Sequence, residues 1–283
     1  MTPSIVHHPF VVPIWPRFNL ELTGFGLAML LAFWIAQVVC ESELARRGQD
    51  AGANAMPDVT IGAVVGGLLG AKIYYMLLTH QGFFSRAGFV FWGGLIGGIT
   101  VTALVIRWKK LPFTRFSDVG GIGVAAAYAV GRTGCWAVGD DYGRPWMSRF
   151  AVSFPEGQPP STVGNLMQQF GVPALQGRPL NEVVAVYPTQ LFEVMMGLAM
   201  FALLWRMRDH KHAEGWLFGA YCAMAGTERF IVEFFRAKDD HFFGVLTLAQ
   251  VIALGFMAAG VVWMQLRREV RPGAPGIYAR ATA

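Results

Sequence analysis

Residues 20–40 read LELTGFGLAMLLAFWIAQVVC, and the one charged side chain in that run, Glu21, stands at its edge. About 20 mostly apolar residues are what an α-helix needs to cross the hydrocarbon core of a bilayer. Six further windows of that kind lie between charged or proline-rich breaks, at residues 59–78, 88–106, 119–138, 188–204, 216–235 and 243–264. In the second, Lys72 and several glycines make the run less apolar. The expectation is an all-α polytopic membrane protein, a bundle of seven transmembrane helices with a small head region.

The composition excludes the soluble alternatives. With 54% hydrophobic and only 14% charged residues, and a mean hydropathy of +0.43, a chain of this size does not fit one large soluble domain or two small ones. Its 34 glycines and 9 tryptophans suit close helix crossings and the lipid–water boundary. Three cysteines with no paired spacing offer neither a disulfide framework nor a zinc site, so free thiols are expected and neither a metal nor a cofactor.

Lys and Arg near span ends stay on the cytoplasmic side, so their distribution gives the orientation. One side receives Arg46, Arg47, Arg107, Lys109, Lys110, Arg115, Arg206, Arg208, Lys211, Arg267, Arg268, Arg271 and Arg280. The other receives Arg17, Arg86, Arg144, Arg149, Arg178, Arg236 and Lys238, and Lys72, Arg132 and Arg229 fall inside spans. This places the N-terminus outside and the C-terminus in the cytoplasm. The expected organisation is a periplasmic segment 1–19, four helices within 20–136, a periplasmic head insert 137–187, three helices within 188–266 and a cytoplasmic tail 267–283. A net charge of +5 then reports topology rather than a nucleic-acid partner. No cleaved signal peptide is expected, and the tail from Pro272 reads as mobile.

Charged side chains deep in a bilayer cost roughly 2.5–3.5 kcal/mol by insertion scales, so each needs a partner or a polar cavity. In GTERFIVEFFR, residues 226–236, Arg229, Glu233 and Arg236 share one helical face. They are either a functional group or a pair that only staples helices. In GRTGCWAVGDDYGRP, residues 131–145, Arg132 precedes a Gly-Asp-Asp-Tyr-Gly turn that contains Asp140, Asp141 and Gly143. A guanidinium beside such a turn suits a phosphodiester, the alternative being an arginine that snorkels and aspartates that cap. YPTQLFEV, residues 187–194, places Gln190 and Glu193 on one face, or merely caps a helix. Paired glycines in FVFWGGLIGG (residues 89–98) and GGLLGAKIYY (residues 66–75) favour tight helix crossing, while Lys72 is placed to reach a head group, Glu193 or Glu233. No histidine lies inside a window, so no imidazole base is evident.

Taken in order and spacing, Gly-Arg-x-Gly with its turn, Pro-Thr-Gln-Leu-Phe-Glu and Arg-Phe-Ile-Val-Glu-Phe-Phe-Arg resemble the prolipoprotein diacylglyceryl transferases of bacterial inner membranes, over nearly the whole chain. The resemblance implies transfer of the diacylglyceryl group of phosphatidylglycerol to the lipobox cysteine thiol of a prolipoprotein. Its partners are then phosphatidylglycerol, the signal-peptide and lipobox segment, and the bilayer. It implies that Arg132 holds the lipid phosphate, with Gly143 closing the turn, and that Arg229 steadies the departing phosphate while Glu233 orients it. On the same resemblance Gln190 and Glu193 line the cavity, and Lys72, Trp92, Gly93 and Gly94 are expected to contribute to substrate binding. Apart from the resemblance, the carboxylates Asp140, Asp141 and Glu233 are the expected acceptors of the thiol proton.

Several residues depart from that pattern. Trp92 stands where the family has His before Gly93 and Gly94, Cys135 and Val138 where it has Asn, Phe25 where Tyr is common, Tyr187 where His precedes the proline, and Asp140 where Glu is usual. Two other readings stay open: a divergent transferase with another acceptor, and a module that binds or transports phospholipid without cleaving it.

Overall fold

The computed structural model describes residues 5–15, 20–80, 82, 90–172, 175–236, 241–243 and 246–269. Arg17, Arg86, Lys238, Arg271 and Arg280 of the topology count, the start of the third window at residue 88 and the tail from Pro272 lie outside them.

Each of the seven apolar windows corresponds to a long helix. They are α1 (Gly24–Arg46), α2 (Asp50–Thr79), α3 (Phe91–Trp108), α4 (Phe113–Val138), α6 (Thr189–Met207), α7 (Trp216–Glu233) and α8 (Leu248–Leu266). Of these, α1, α2, α3, α6 and α8 are long and apolar enough to cross a membrane. The other two, α4 and α7, carry charged residues within their apolar runs, Arg132 in α4 and Glu228, Arg229 and Glu233 in α7. Large apolar side chains point outward over the bundle, among them Leu30, Leu77, Ile96 and Trp108.

Helix starts follow local chemistry. Thr23 accepts the Gly26 N–H at the head of α1, and Thr247 with Gln250 forms a reciprocal capping box at α8. α2 begins nine residues before the apolar window at residue 59, because its first turns, with buried Ala53 and Met56, pack against Phe116 and Leu44.

The helices pack in the order α3 on α2, α2 on α1, α1 on α4, α4 on α6 and α7, and α7 on α8. Glycines set the α2–α3 distance: a Cβ on Gly93 would overlap the Gly70 carbonyl and Tyr74 Cβ, and one on Gly97 the Gly66 carbonyl. At the end of the bundle away from the site, the buried Asp118 of α4 accepts the Gly215 and Phe218 N–H groups at 2.7 and 2.8 Å. It thereby satisfies the first turn of α7 from a neighbouring helix.

The chain is mostly helical, as a membrane all-α protein should be, and short strands accompany the helices: β1 (Ile5–Val6), β2 (Val11–Trp15), β3 (Leu20–Thr23), β4 (Val152–Ser153), β5 (Ala185–Val186), β6 (His241–Phe243) and β7 (Leu246–Thr247). β2–β3 and β6–β7 are hairpin pairs, while β1, β4 and β5 form one sheet, with Ile5 opposite Val152 and Val152 opposite Val186. β1, β4 and β5, of two residues each, are too short to leave an alternation in the sequence. They roof a small core of Tyr142, Val152, Phe154, Val163, Leu166, Leu175, Val184 and Val186. Helix α5 (Val163–Phe170) contributes two of these side chains. The insert between α4 and α6 is thus an ordered unit with its own apolar interior, and the chain's N-terminal strand belongs to it.

Candidate active site

The site forms where α4 ends and α6 begins. Gly139 stops α4 in a left-handed conformation (φ 71°), and Asp141 adopts the same region (φ 56°), which a short polar side chain tolerates better than most. The Thr189 hydroxyl donates to the Asp141 carbonyl at 2.6 Å and the Gln190 amide to the Asp140 carbonyl at 2.5 Å. The polar opening of α6 therefore holds the Asp-Asp turn rather than capping its own helix. Gly143 follows in a slot with no room for a Cβ, which would meet the Phe235 carbonyl and, at 2.8 and 2.9 Å, Thr189 Cγ2 and Tyr187 Cβ. Its N–H donates to Tyr187 O at 2.9 Å, and the next N–H, of Arg144, donates to Phe235 O at 2.9 Å. The segment is clamped between α6 and the end of α7, which fixes Arg236 beside the turn.

Arg132 lies six residues before the end of α4, roughly 9 Å inside the helix terminus at 1.5 Å per residue. Its guanidinium donates to Asp141 Oδ2 at 2.9 Å, to Cys135 Sγ at 3.2 Å and to Glu193 Oε2. Arg236 takes the other oxygen of Asp141 at 2.7 Å and approaches Glu193 at 3.7 Å. Two guanidiniums thus share two carboxylates, and the group is contributed by α4, its following turn, α6 and the end of α7. Arg229 pairs with Glu233 at 2.6 Å, and Glu233 links onward to Arg236 at 3.9 Å and to the Thr247 hydroxyl at 3.2 Å. The cluster is accessible at two places: the side chains of Asp141 and Arg229 are 40% and 32% exposed.

The two aspartates of the turn differ electrostatically. Burial pushes the Asp140 carboxyl up to about 6, reinforced by the charge of Asp141, because no guanidinium bonds to it directly. Burial acts upward on Asp141 as well, but Arg236 and Arg132 overcome it and hold that carboxyl far below the usual range. Around the turn, Arg132 Nε, Arg236 Nε, Asp140 Oδ1 and Gln190 Oε1 are buried without a hydrogen-bond partner among the described residues. Two unused donors on cations beside two carboxylates form a site for an anion with several oxygens.

The structure brings Arg132, Asp140, Gly143, Gln190 and Glu193 together, with Arg229 and Glu233 joined on through Arg236. It does not bring Trp92, Gly93 and Gly94 to them. These sit on α3, whose packing partner is α2, and the two glycines face α2. Trp92 is 48% exposed with its ring against Phe91. Lys72 is buried on α2 with Nζ 5.4 Å from the centroid of the Tyr75 ring. Its two expected partners are engaged elsewhere, Glu193 by Arg132 and Arg236, Glu233 by Arg229.

Sequence reading gave Asp141 and Arg236 too small a part, and it overlooked Tyr128 and Glu228. Tyr128 lies one helical turn before Arg132 and on its face, a signal available from spacing alone. The Tyr128 hydroxyl donates to Glu228 Oε1 at 2.9 Å and stands 3.4 Å from Glu193 Oε1.

The ligand atoms of Cys135, Asp140 and Asp141 lie within 4.8 Å of one another. Arg132 already donates to Cys135 and Asp141, and Arg236 to Asp141. Guanidiniums therefore fill the place a metal ion would take, and the donor set fits a cation poorly.

Residues 13–266 match the family model for prolipoprotein diacylglyceryl transferase, and the chain belongs to that family. Among curated relatives, a phosphatidylglycerol–prolipoprotein diacylglyceryl transferase of Geobacter sulfurreducens is 29% identical, covering 93% of this chain and 99% of its own. The enzymes of that name from Corynebacterium efficiens and Clostridium tetani are 28% and 25% identical, over 89% and 90% of this chain and 80% and 97% of theirs.

Proposed function

We propose that this protein transfers the diacylglyceryl group of phosphatidylglycerol to the lipobox cysteine thiol of prolipoproteins. The observation that carries the reading, beside membership of the family, is the unused Nε donor on each of Arg132 and Arg236, on either side of the Asp141 carboxylate. A phosphodiester entering there takes donors that the protein leaves open, and Arg132 holds its phosphate. The sulfur attacks the glyceryl carbon, the carbon–oxygen bond to phosphate breaks, and glycerol phosphate departs with the electron pair. Cations preplaced around the departing oxygen stabilise that charge without reorganising, which is where such a site gains rate. Arg229, oriented by Glu233, serves this on the accessible side of the cluster. Gln190 and Thr189 keep the Asp140–Asp141 turn in register.

The same proposal makes all seven long helices span the bacterial inner membrane, α4 and α7 being tolerated because Arg132 is paired with Glu193 of α6 and Arg229 with Glu233. Basic residues at the far end of the bundle support a cytoplasmic C-terminus, with residues 1–19 and the 137–187 head in the periplasm.

The test uses the purified protein in nanodiscs containing phosphatidylglycerol, with a lipobox peptide and mass spectrometry. A diacylglyceryl thioether on the peptide cysteine is expected. Glycerol phosphate released with the peptide unmodified would mean another acceptor, and phospholipid recovered intact would overturn the enzymatic reading.

A further inference from the structure

Tyr128 stands between two buried carboxyls. Its hydroxyl is 2.9 Å from Glu228 Oε1 and 3.4 Å from Glu193 Oε1, and the two glutamates are 6% and 2% exposed. A phenol has one hydrogen to give and lone pairs to receive with. Both contacts are hydrogen bonds only when one of the carboxyls carries a proton of its own. With both ionised, one of the two contacts opposes lone pairs across a buried gap.

The surroundings of the two glutamates differ. Glu193 is bound by Arg132 and approached by Arg236. Among the described residues no ion pair reaches Glu228. The charged and titratable groups that face it are Tyr128 and Arg132 of α4, Glu193 of α6, and Arg229 and Tyr221 of its own helix. Thr247, which caps α8, bonds to Glu233. Counted over the cluster, Arg132, Arg229 and Arg236 are matched by the ion-paired Asp141, Glu193 and Glu233. Asp140 and Glu228, which no ion pair reaches among the described residues, are surplus to that balance, and an incoming phosphodiester adds one more negative charge.

We propose that Glu193, Tyr128 and Glu228 share one mobile proton and carry the acid–base part of the transfer, a task for which this chain places no histidine in its apolar helices. The inference rests on the transferase reading. The triad's proton, delivered through Glu193, goes to the phosphate oxygen as the carbon–oxygen bond breaks and the carbon–sulfur bond forms. The proton of the thiol enters at Glu193, passes through Tyr128 and restores Glu228. The thiol proton thus ends on the leaving phosphate monoester, and the triad is unchanged after one turnover. Tyr128 and Glu228 touch neither substrate and act through Glu193, so they are positioning residues.

Glu228→Gln keeps the shape and a hydrogen bond to the phenol but cannot exchange a proton. In phosphatidylglycerol nanodiscs with a lipobox peptide, it is expected to lose about 100-fold in kcat, with KM for the lipid within about twofold and the pH profile of kcat flattened. Tyr128→Phe is expected to match it, and the double variant to lose no more than either alone. An infrared carbonyl band of a protonated carboxyl, present in the wild type and absent from Glu228→Gln, gives a readout independent of turnover. If the wild type transfers and Glu228→Gln matches it across the pH range, the triad falls while the transferase reading stands. If the wild type makes no thioether under any condition, that reading fails and the triad's role goes with it. Should Tyr128→Phe not fold, Glu228→Gln and its infrared band decide alone.

Discussion

Arg236 and Asp141, 95 residues apart in the chain, meet at 2.7 Å across the mouth of the bundle. Arg132 holds the other oxygen of the same carboxylate at 2.9 Å, so a single aspartate sets the separation of two guanidiniums, one inside α4 and one in the turn after α7. Asp141→Asn removes the charge that keeps the two cations together while preserving the size of the side chain. The expected result is weaker paired binding of phosphate, read as a KM for phosphatidylglycerol raised about tenfold or more, because a neutral amide cannot hold both charge-assisted bonds. An unchanged KM would mean that the lipid phosphate does not sit between these arginines.

Arg132→Lys tests geometry against charge. Lysine keeps the positive charge but has no planar fork, and Arg132 engages Asp141, Cys135 and Glu193 together. Transfer is expected to fall about 100-fold or more, within the range seen when one preorganised donor is lost. A variant retaining most of its kcat/KM would reduce the role of Arg132 to that of a point charge.

Gly143→Ala tests the clamp. The added methyl would run into the Phe235 carbonyl and Thr189 Cγ2, and neither can yield without moving α7's end or α6's start. Overpacking of this kind costs about 1–3 kcal/mol, and it should displace Arg236 as well. The variant is expected to melt lower and to lose activity at temperatures where it is still folded. Gly120→Ala is the control, since a Cβ there meets nothing within 4 Å. Equal behaviour of the two variants would remove the argument for a clamp.

How much of this was legible in the sequence depends on how local each signal is. The seven long helices follow from runs of apolar residues, and the Arg132, Glu193 and Glu233 positions from charges standing alone inside such runs. Strands β1, β4 and β5 left no trace, because two residues of pairing cannot show an alternation and β1 lies nearly 150 residues from its partner. Arg236 is expected on one helical face with Arg229 and Glu233, but α7 ends at Glu233, and nothing local indicates that the following turn folds back against Gly143. Gly93 and Gly94 follow a position where the family motif has a histidine, and their spacing also fits a helix crossing. Only the opposing glycines of α2 show that the crossing takes them. The Tyr128–Glu228 contact joins residues 100 apart, and a tyrosine in an apolar run is ordinarily unremarked.

Asp140 gives the cluster a pH signature. Its carboxyl, ordinarily at 3.8, is raised to about 6 in the folded protein. Between those values the folded state holds a proton that the unfolded state has released, so this group's contribution to stability falls as pH rises through the window. Asp141 runs the other way, since the arginines hold it below its ordinary value. Its contribution is present above 3.8 and is lost as pH falls beneath that value. Asp140→Asn is therefore expected to raise the melting temperature at pH 7.5 and to flatten its change between pH 4 and 6. A melting temperature lower than wild type at pH 7.5 would show the Asp140 carboxylate to be stabilising.

Trp92 and Gly93 are adjacent on α3, yet the structure gives them separate consequences. A Cβ on Gly93 would overlap the Gly70 carbonyl and Tyr74 Cβ, so Gly93→Ala must push α2 and α3 apart, at a cost of about 1–3 kcal/mol. Trp92 is 48% exposed and contacts Phe91, so Trp92→Ala leaves the crossing intact. The arginine cluster is built on α4, α6 and α7, whereas α3 packs mainly on α2 and touches α4 only slightly. Gly93→Ala is expected to lower thermal stability with KM for phosphatidylglycerol unchanged within about twofold in the fraction that folds, and Trp92→Ala to change neither. A large rise in KM for Trp92→Ala at undiminished stability would place the indole on the lipid's path, and the entry route would then have to run along α3 rather than past the accessible side chains of Arg229 and Asp141.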